Sequence, residues 1–293
     1  MMKKQKKLHS ANFVDVLIVI FFVLAVSISI IPMLNILSLS VSDRYAASMN
    51  PGRLFPDFNH VTLLAYKAVI TSKAVYRGLF ISLLVVIVGT AVFMTLTTLV
   101  GFAVSNEKVP GRKIMMMYVL FTILFSGGLI PTYLAIDSYG MMNSFWVLVI
   151  PYSVNGYNVV LIKNHIANIP KSLLEAAEID GANPFVILMK IILPLCIPVM
   201  ATIALFCAIG KWNDWQTYFL YARGVQWLKP FQNVLQDVVV NVDITATDGI
   251  NLAEFGVAFQ NALIVISLIP IVGMYLLAQK YLIKGLFIGS VKE

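Results

Sequence analysis

Three carboxylate side chains, Glu175, Glu178 and Asp180, lie within six residues of one another in the segment EAAEIDGANPF. Acids gathered in this way supply charge for a specific contact with a partner. The three histidines lie in three different places without ligand partners at helical spacing, so we predict no metal site. The sequence also lacks a Walker A loop, a GxSxG elbow and an HExxH helix. These residues therefore predict recognition of a partner, and no enzyme active site in this chain.

A short helix carries these acids and has clear start and stop signals. Pro170 suits its first turn, and Gly181 suits the position just past its end. Asn183 and Pro184 then fit the N-cap and the first turn of a second helix. The sequence predicts a helix, a tight turn and a new helix within about residues 169–184.

A helix of about ten residues is marginal in water on its own, so something must hold this one. Leu173, Ala176 and Ala177 form a small apolar face, and the alanines permit close approach of a partner's backbone. The alternative is an amphipathic helix that lies on lipid headgroups, but three acids fit poorly with an anionic membrane surface. A protein partner is the favoured interpretation.

Long apolar runs precede and follow this segment. The 293 residues are 59% hydrophobic and 12% charged, whereas soluble domains are roughly 25% charged. Each run approaches or exceeds the ~20 residues that a helix needs to cross a bilayer. We therefore predict an all-α integral membrane protein surrounded by lipid. Six spans are expected, at about Phe13 to Leu39, Gly78 to Val104, Ile114 to Ile136, Phe145 to Ile162, Ile191 to Gly210 and Phe255 to Gln279.

An even number of spans places both termini on one side of the membrane, and the distribution of basic residues selects that side. With the N-terminus in the cytoplasm, thirteen of the 21 Lys and Arg residues lie inside, and eight acids balance the eight outside. The net charge of +7 is then topological and indicates no nucleic acid. We expect a cytoplasmic tail at 1–12, one membrane domain at 13–284 and a second cytoplasmic tail at 285–293.

The segment after Glu175 resembles the EAA loop of the membrane subunits of ATP-binding-cassette importers, in the maltose-type branch that takes up carbohydrate. The residues that carry the motif are Glu175, Ala176, Ala177, Asp180, Gly181, Ala182, Phe185, Ile191, Leu193, Pro194 and Pro198. The segments VPGRK, FSGGLIPTYL, LFCAIGKWNDW and GLFIGSVKE resemble the same family at matching positions. The resemblance runs from about the second span to the C-terminus.

This resemblance implies a type I importer permease fold and alternating access of the membrane core. The EAA helix is then the coupling helix, seated in a cleft of a separate ATPase, and its movement drags the fourth and fifth spans. The role falls on Glu175, Ala176, Ala177, Asp180 and Gly181. This chain would bind no cofactor, because ATP and Mg²⁺ would be held by the ATPase.

The resemblance also implies a complex in the bacterial plasma membrane. It would contain a second related permease subunit, two ATP-binding-cassette ATPase subunits and an extracellular solute-binding protein with a lipid anchor. The exterior loops, at Asp43 to Ser72 and Lys211 to Glu254, are where the binding protein would dock. An oligosaccharide is the implied substrate.

A pathway for sugar needs hydrogen-bonding groups and aromatic faces. The candidate pathway residues are Tyr152, Asn155, Tyr157 and Asn158 in the fourth span, with Trp212 and Asn213 at the outer end of the fifth. For each of them the alternative is hydrogen bonding between packed helices.

Glycine and proline pairs mark two spans for irregular geometry. Pro194 and Pro198 remove backbone donors near the start of the fifth span, so we expect a kink or a soft point there. Gly127 and Gly128 in the third span permit either close helix packing or a break, and packing is the favoured interpretation.

Two other classes of protein remain open. A solitary secondary carrier usually needs more spans or a visible repeat, and it leaves the EAA loop unexplained. A membrane scaffold or sensor would use the same helix to recruit a signalling partner. Co-purification of an ATPase would separate an importer subunit from both.

Overall fold

The computed structural model describes residues 13–240 and 252–288. The predicted N-terminal tail, part of the second exterior loop and residues 289–293 of the predicted C-terminal tail lie outside the described residues. In the described part, every regular element is helical apart from one isolated antiparallel bridge between Ser42 and Val61. The predicted all-α class is confirmed. The described residues divide into two compact units, 13–70 with 252–266, and 71–240 with 267–288.

The structure describes fourteen α-helices. They are α1 (Phe13–Ser40), α2 (Arg44–Met49), α3 (Leu64–Thr71), α4 (Lys73–Ser105), α5 (Arg112–Leu124), α6 (Leu129–Ser138), α7 (Phe145–Val149), α8 (Gly156–Ala167), α9 (Lys171–Ile179), α10 (Pro184–Ile187), α11 (Leu193–Asn213), α12 (Gln216–Tyr221), α13 (Phe231–Val240) and α14 (Leu252–Ile288). A π-helical turn, Leu188–Ile192, joins α10 to α11.

Four of these segments are long and apolar enough to cross a membrane: Phe13–Ser40, Lys73–Ser105, Pro184–Asn213 and Gly256–Lys280. The third and fourth predicted spans differ from the expectation, because neither is one continuous helix. The third is divided into α5 and α6, and the fourth into α7 and α8. The number of six spans stays a prediction.

Backbone geometry explains both interruptions. In the third span Gly128 has φ of +83°, and a Cβ atom added there would meet nothing within 4 Å. Gly128 therefore provides a break, and the interpretation as a packing glycine is wrong. In the fourth span the chain leaves the helix at Ile150, and Tyr152 has φ of +62°. A bulky side chain rarely takes a positive φ, so Tyr152 marks a strained break.

The prolines of the fifth span lie next to the π-helical turn. Pro194 cannot donate a hydrogen bond, and its ring crowds the carbonyl four residues earlier. The wider π turn ends just before it, where the backbone N–H of Leu193 bonds to Leu188 O. The helix then continues past Pro198 to Asn213. The expected irregularity is confirmed, and it takes the form of a π turn.

Helix α4 is the centre of the second compact unit, where it packs against α5, α7, α8, α11 and α13. Glycines permit the closest of these contacts. A Cβ atom at Gly101 would lie 2.8 Å from Cγ2 of Ile162 on α8, and one at Gly78 would lie 3.1 Å from Cα of Phe231 on α13. Small residues let helix backbones approach in this way inside membranes.

In the first compact unit, Asp43 organises the connection between α1 and α3. Its Oδ1 accepts a hydrogen bond from the backbone N–H of Ala46 at 2.7 Å, which caps α2. Its Oδ2 lies 2.7 Å from Nδ1 of His60. The Ala46 bond, followed by the His60 bond, holds the pKa of Asp43 below its usual range.

The lowered pKa predicts how this connection responds to acid. A carboxyl group with a depressed folded pKa stabilises the fold above its unfolded pKa of about 3.9, and that contribution is lost as the pH falls through the folded value. We expect Asp43→Ala to speed proteolytic cleavage between residues 43 and 61 at neutral pH, and acid to do the same to the parent protein. Equal cleavage rates for Asp43→Ala and the parent at neutral pH would contradict this.

Candidate functional site

Helix α9 and the turn after it have the geometry that the sequence predicts. Gly181 has φ of +81°, and its N–H bonds to Glu178 O at 3.0 Å. The N–H of Ala182 bonds to Ala177 O at 2.9 Å, which completes a Schellman motif. Asn183 then caps α10, its Oδ1 accepting from the N–H of Val186 at 2.9 Å. The predicted helix, turn and new helix are confirmed.

The apolar residues of α9 lie on two different faces. Leu174 and Ala177 pack inward with Ala182 against a buried cluster that includes Ile169 and Ile187. The sequence placed Ala177 on the apolar face offered to a partner, but in the structure it packs inward. This cluster fixes the helix to the ends of the neighbouring spans.

Among the exposed residues of α9 and its C-cap, we call five the outer face: Leu173, Glu175, Ala176, Ile179 and Asp180. Ile179 is 86% exposed and was not among the residues that the sequence singled out. Its spacing of three and four residues from Ala176 and Glu175 was the available signal. The outer face thus combines a large, exposed apolar side chain with two acids.

Two ion pairs join α9 to the connection between α4 and α5. Nζ of Lys171 lies 3.3 Å from Oε1 of Glu107, and the ammonium of Lys108 pairs with the Glu178 carboxylate. Glu178 is therefore engaged within the chain. In the described residues, Glu175 and Asp180 form no ion pair and stay available to a partner.

The predicted pathway residues of the fourth span lie at its break. Tyr152 is exposed in the break itself, and Tyr157 is exposed one residue after the start of α8. Asn155 is the N-cap of α8, and its Oδ1 accepts a hydrogen bond from the N–H of Asn158 at 3.2 Å. The structure thus places the four predicted residues at one interruption of the span. The side-chain oxygen of Asn155 already serves as a helix cap.

The two pathway residues of the fifth span lie in different surroundings. Trp212 is 1% exposed, its Nε1 donates to Ser267 O at 3.1 Å, and its ring centroid lies 5.9 Å from that of Phe231. Trp212 therefore fits the alternative interpretation, in which its side chain bonds between packed helices. Asn213 is exposed, and its Oδ1 accepts from Nε2 of Gln232 at 3.3 Å.

Lys211 was predicted to begin the second exterior loop, but in the structure it is a charged residue within the fifth span. It lies inside α11, and its Nζ donates to Leu148 O at 3.0 Å and to Val149 O at 3.3 Å. These carbonyls belong to the last residues of α7, where a helix leaves its carbonyls unpaired and favours a cation. The ammonium of Lys211 therefore caps the broken end of the fourth span.

Removing this cap should destabilise the break. Lys211→Met keeps the length of the side chain but leaves Leu148 O without its partner and Val149 O bonded to the Ser153 hydroxyl alone. Hydrogen bonds to charged groups contribute about 1.5–3 kcal/mol. We expect the purified complex that contains Lys211→Met to unfold at a lower temperature than the parent, and Lys211→Arg to lie between them. Unfolding of the methionine variant at the parent temperature would contradict the capping role.

The fold and the exposed, capped helix together define a class of protein, the membrane-embedded subunit of a transport system. The chain belongs to the family of binding-protein-dependent transport system inner membrane components, whose sequence profile matches residues 93–283. It is thus a transport subunit and not an enzyme.

Two relatives from Bacillus subtilis (strain 168) cover nearly the whole chain. Protein LplC is 37% identical over 272 residues, which are 91% of this chain and 90% of that protein. The polygalacturonan/rhamnogalacturonan transport system permease protein YtcP is 35% identical over 286 residues, which are 95% of this chain and 98% of that protein.

A solved structure shows the same fold. It is a chain of a bacterial ABC transporter involved in the import of the acidic polysaccharide alginate, with a TM-score of 0.87 and 26% identity. The match covers 95% of this chain and all of that one. The importer permease fold that the EAA motif implied is confirmed.

Proposed function

We propose that α9 is the helix through which a separate ATPase drives this permease. The observation that carries the proposal is the outer face of α9, where Ile179 is exposed between the unpaired acids Glu175 and Asp180. The inward packing of Leu174 and Ala177 ties this surface to the spans. ATP and Mg²⁺ would be held by the ATPase, and this chain would carry no cofactor.

The end of the molecule that carries α9 would then face the cytoplasm of a bacterium, and both termini would lie there. Basic residues near this end support the orientation: Lys108, Arg112, Lys113, Lys163, Lys171 and Lys190. The membrane domain would extend over residues 13–284, with the coupling loop at about 169–184.

The complete importer would contain a second related permease subunit, two ATPase subunits and a lipid-anchored extracellular binding protein. The family description supports the binding protein, because it names transport that depends on one. ATP-driven closure of the ATPase pair would move α9, and the membrane core would open alternately to the two sides.

An acidic oligosaccharide is the substrate that we propose. One relative is named for polygalacturonan and rhamnogalacturonan, and the solved transporter imports alginate. The exposed ring of Tyr152 offers a surface for sugar C–H groups. The Lys211 ammonium binds Leu148 O and Val149 O at the same break of the fourth span. In the described residues it pairs with these carbonyls and with no carboxylate.

Purification of the tagged chain from its native membrane, followed by uptake measurements, tests this function. We expect an ATPase and a second permease to co-purify, and oligogalacturonide uptake in vesicles to require ATP and a binding protein. Maltooligosaccharide of equal length should enter more slowly. Uptake without any ATPase would indicate a solitary carrier, and co-purification of a signalling protein without uptake would indicate a scaffold.

A further inference from the structure

Two neighbouring residues of opposite charge in the connection after α4 reach two points of α9. Glu107 contacts Lys171 at the start of the helix, at 3.3 Å, and Lys108 contacts Glu178 near its end. Lys171 and Glu178 are seven residues apart, which is about two helical turns and places them on one face. In the connection the acid Glu107 precedes the base Lys108, whereas on α9 the base Lys171 precedes the acid Glu178. Both pairs can therefore form together only when α9 lies in this register and this direction.

A cavity of about 410 Å³ lies between the same elements. Its wall includes the C-terminal end of α4 at Phe102 and Ser105, the four charged residues of the two pairs, and Leu174 on α9. Close packing is therefore incomplete where α9 faces the end of α4. The ion pairs bridge this space at the surface.

The pairs are too exposed to serve mainly as a source of stability. The side chains of Lys108 and Glu178 are 70% and 39% exposed, and those of Lys171 and Glu107 are 74% and 65% exposed. Ion pairs in water contribute little to folding because hydration and salt screen them. Two pairs on one helix face do, however, restrict the direction in which that helix can move relative to its partner.

We propose that Glu107, Lys108, Lys171 and Glu178 form a clasp that transmits the movement of α9 to α4. This inference rests on the proposed function of α9. The chain already joins α9 to α8 and α10 directly, so movement of α9 reaches the fourth and fifth spans through the backbone. The clasp adds a route to α4, which packs against α5, α7, α8, α11 and α13 and so reaches most of the second compact unit.

Charge reversal and charge exchange test the clasp. In the complete importer, Lys108→Glu or Glu178→Lys alone turns attraction into repulsion, and the double variant restores a pair with its charges exchanged. We expect each single variant to lower sugar uptake per ATP hydrolysed by about fivefold, a factor that corresponds to the upper range of an exposed ion pair. The double variant should recover most of this loss.

A nearby lysine supplies the matched control. Lys113 is exposed in the first turn of α5, just after the same connection, and forms no ion pair in the described part of the chain. Lys113→Glu therefore makes the same change in charge without touching the clasp. Its uptake per ATP should equal that of the parent. The rescue in the double variant also separates the clasp from a contact between Glu178 and the ATPase, because Lys108→Glu could not repair such a contact.

The outcomes that overturn the clasp differ from those that overturn the coupling helix. Single variants with parental uptake per ATP, or a double variant as poor as Glu178→Lys alone, would rule out the clasp while the ATPase still co-purifies. Failure of the unaltered complex to retain any ATPase would instead remove the proposed function of α9. The amount of each variant in the membrane, measured by immunoblot, normalises all of the rates.

Discussion

Replacing Ile179 with aspartate should reduce ATP-driven uptake more than about tenfold while leaving the permease folded. Ile179 is 86% exposed and touches no core, so the subunit loses nothing from its own packing. If its side chain is buried against the ATPase, the change removes about 1.5–3 kcal/mol of apolar burial and adds a desolvated charge. A loss of 1.4 kcal/mol already corresponds to tenfold in an equilibrium constant. ATPase retained on the purified complex and uptake into vesicles measure the effect.

Ile179→Val is the matched control, because it keeps an apolar, branched side chain at the same place. We expect ATPase retention and uptake close to those of the parent. Equal performance of the aspartate and valine variants would show that Ile179 faces no partner, and the outer face would then be limited to the acids.

The second large effect concerns assembly of the spans. Gly101→Val should greatly lower the amount of folded subunit, because even the Cβ atom would lie 2.8 Å from Cγ2 and 3.1 Å from Cβ of Ile162. Ile162 is fully buried and has no room to move away. Overpacking of such a contact costs typically about 1–3 kcal/mol, and here it separates α4 from α8. Recovery of monodisperse complex in detergent measures it.

Gly273→Val provides the comparison, since a Cβ atom at Gly273 on α14 meets nothing within 4 Å. It should yield nearly parental amounts of complex. If Gly101→Val is recovered as well as Gly273→Val, the close approach of α4 and α8 is not needed for the fold.

Local chemistry explains why α9 could be predicted. The signals of Pro170, Gly181 and Asn183 act within a few residues. Gly181 and Asn183 have their predicted roles, and Pro170 lies one residue earlier than predicted, as the N-cap of α9. Four of the predicted spans also coincide with helices that are long and apolar enough to cross a membrane. Hydropathy reports composition and not backbone conformation. It therefore could not show that Gly128 and Tyr152 interrupt the third and fourth predicted spans.

The remaining features depend on residues far apart in the sequence. Lys211 caps carbonyls about sixty residues away, at Leu148 and Val149. Trp212 is buried because Phe231 and Ser267 from later helices cover it. Such contacts leave no periodic or local pattern, since they are fixed only when the helices pack. The ion pairs of the clasp, 64 and 70 residues apart, escaped the sequence for the same reason.

The central claim is that α9 couples this permease to an ATPase, and the most direct test changes the helix and its cap together. Glu175→Ala removes an unpaired acid, and Gly181→Arg places a bulky side chain at φ of +81°, where such residues are strained. In the full complex we predict that ATPase association in a pull-down and sugar uptake are both lost while the permease remains folded. If the ATPase stays bound and uptake is unaltered, α9 is not the coupling element.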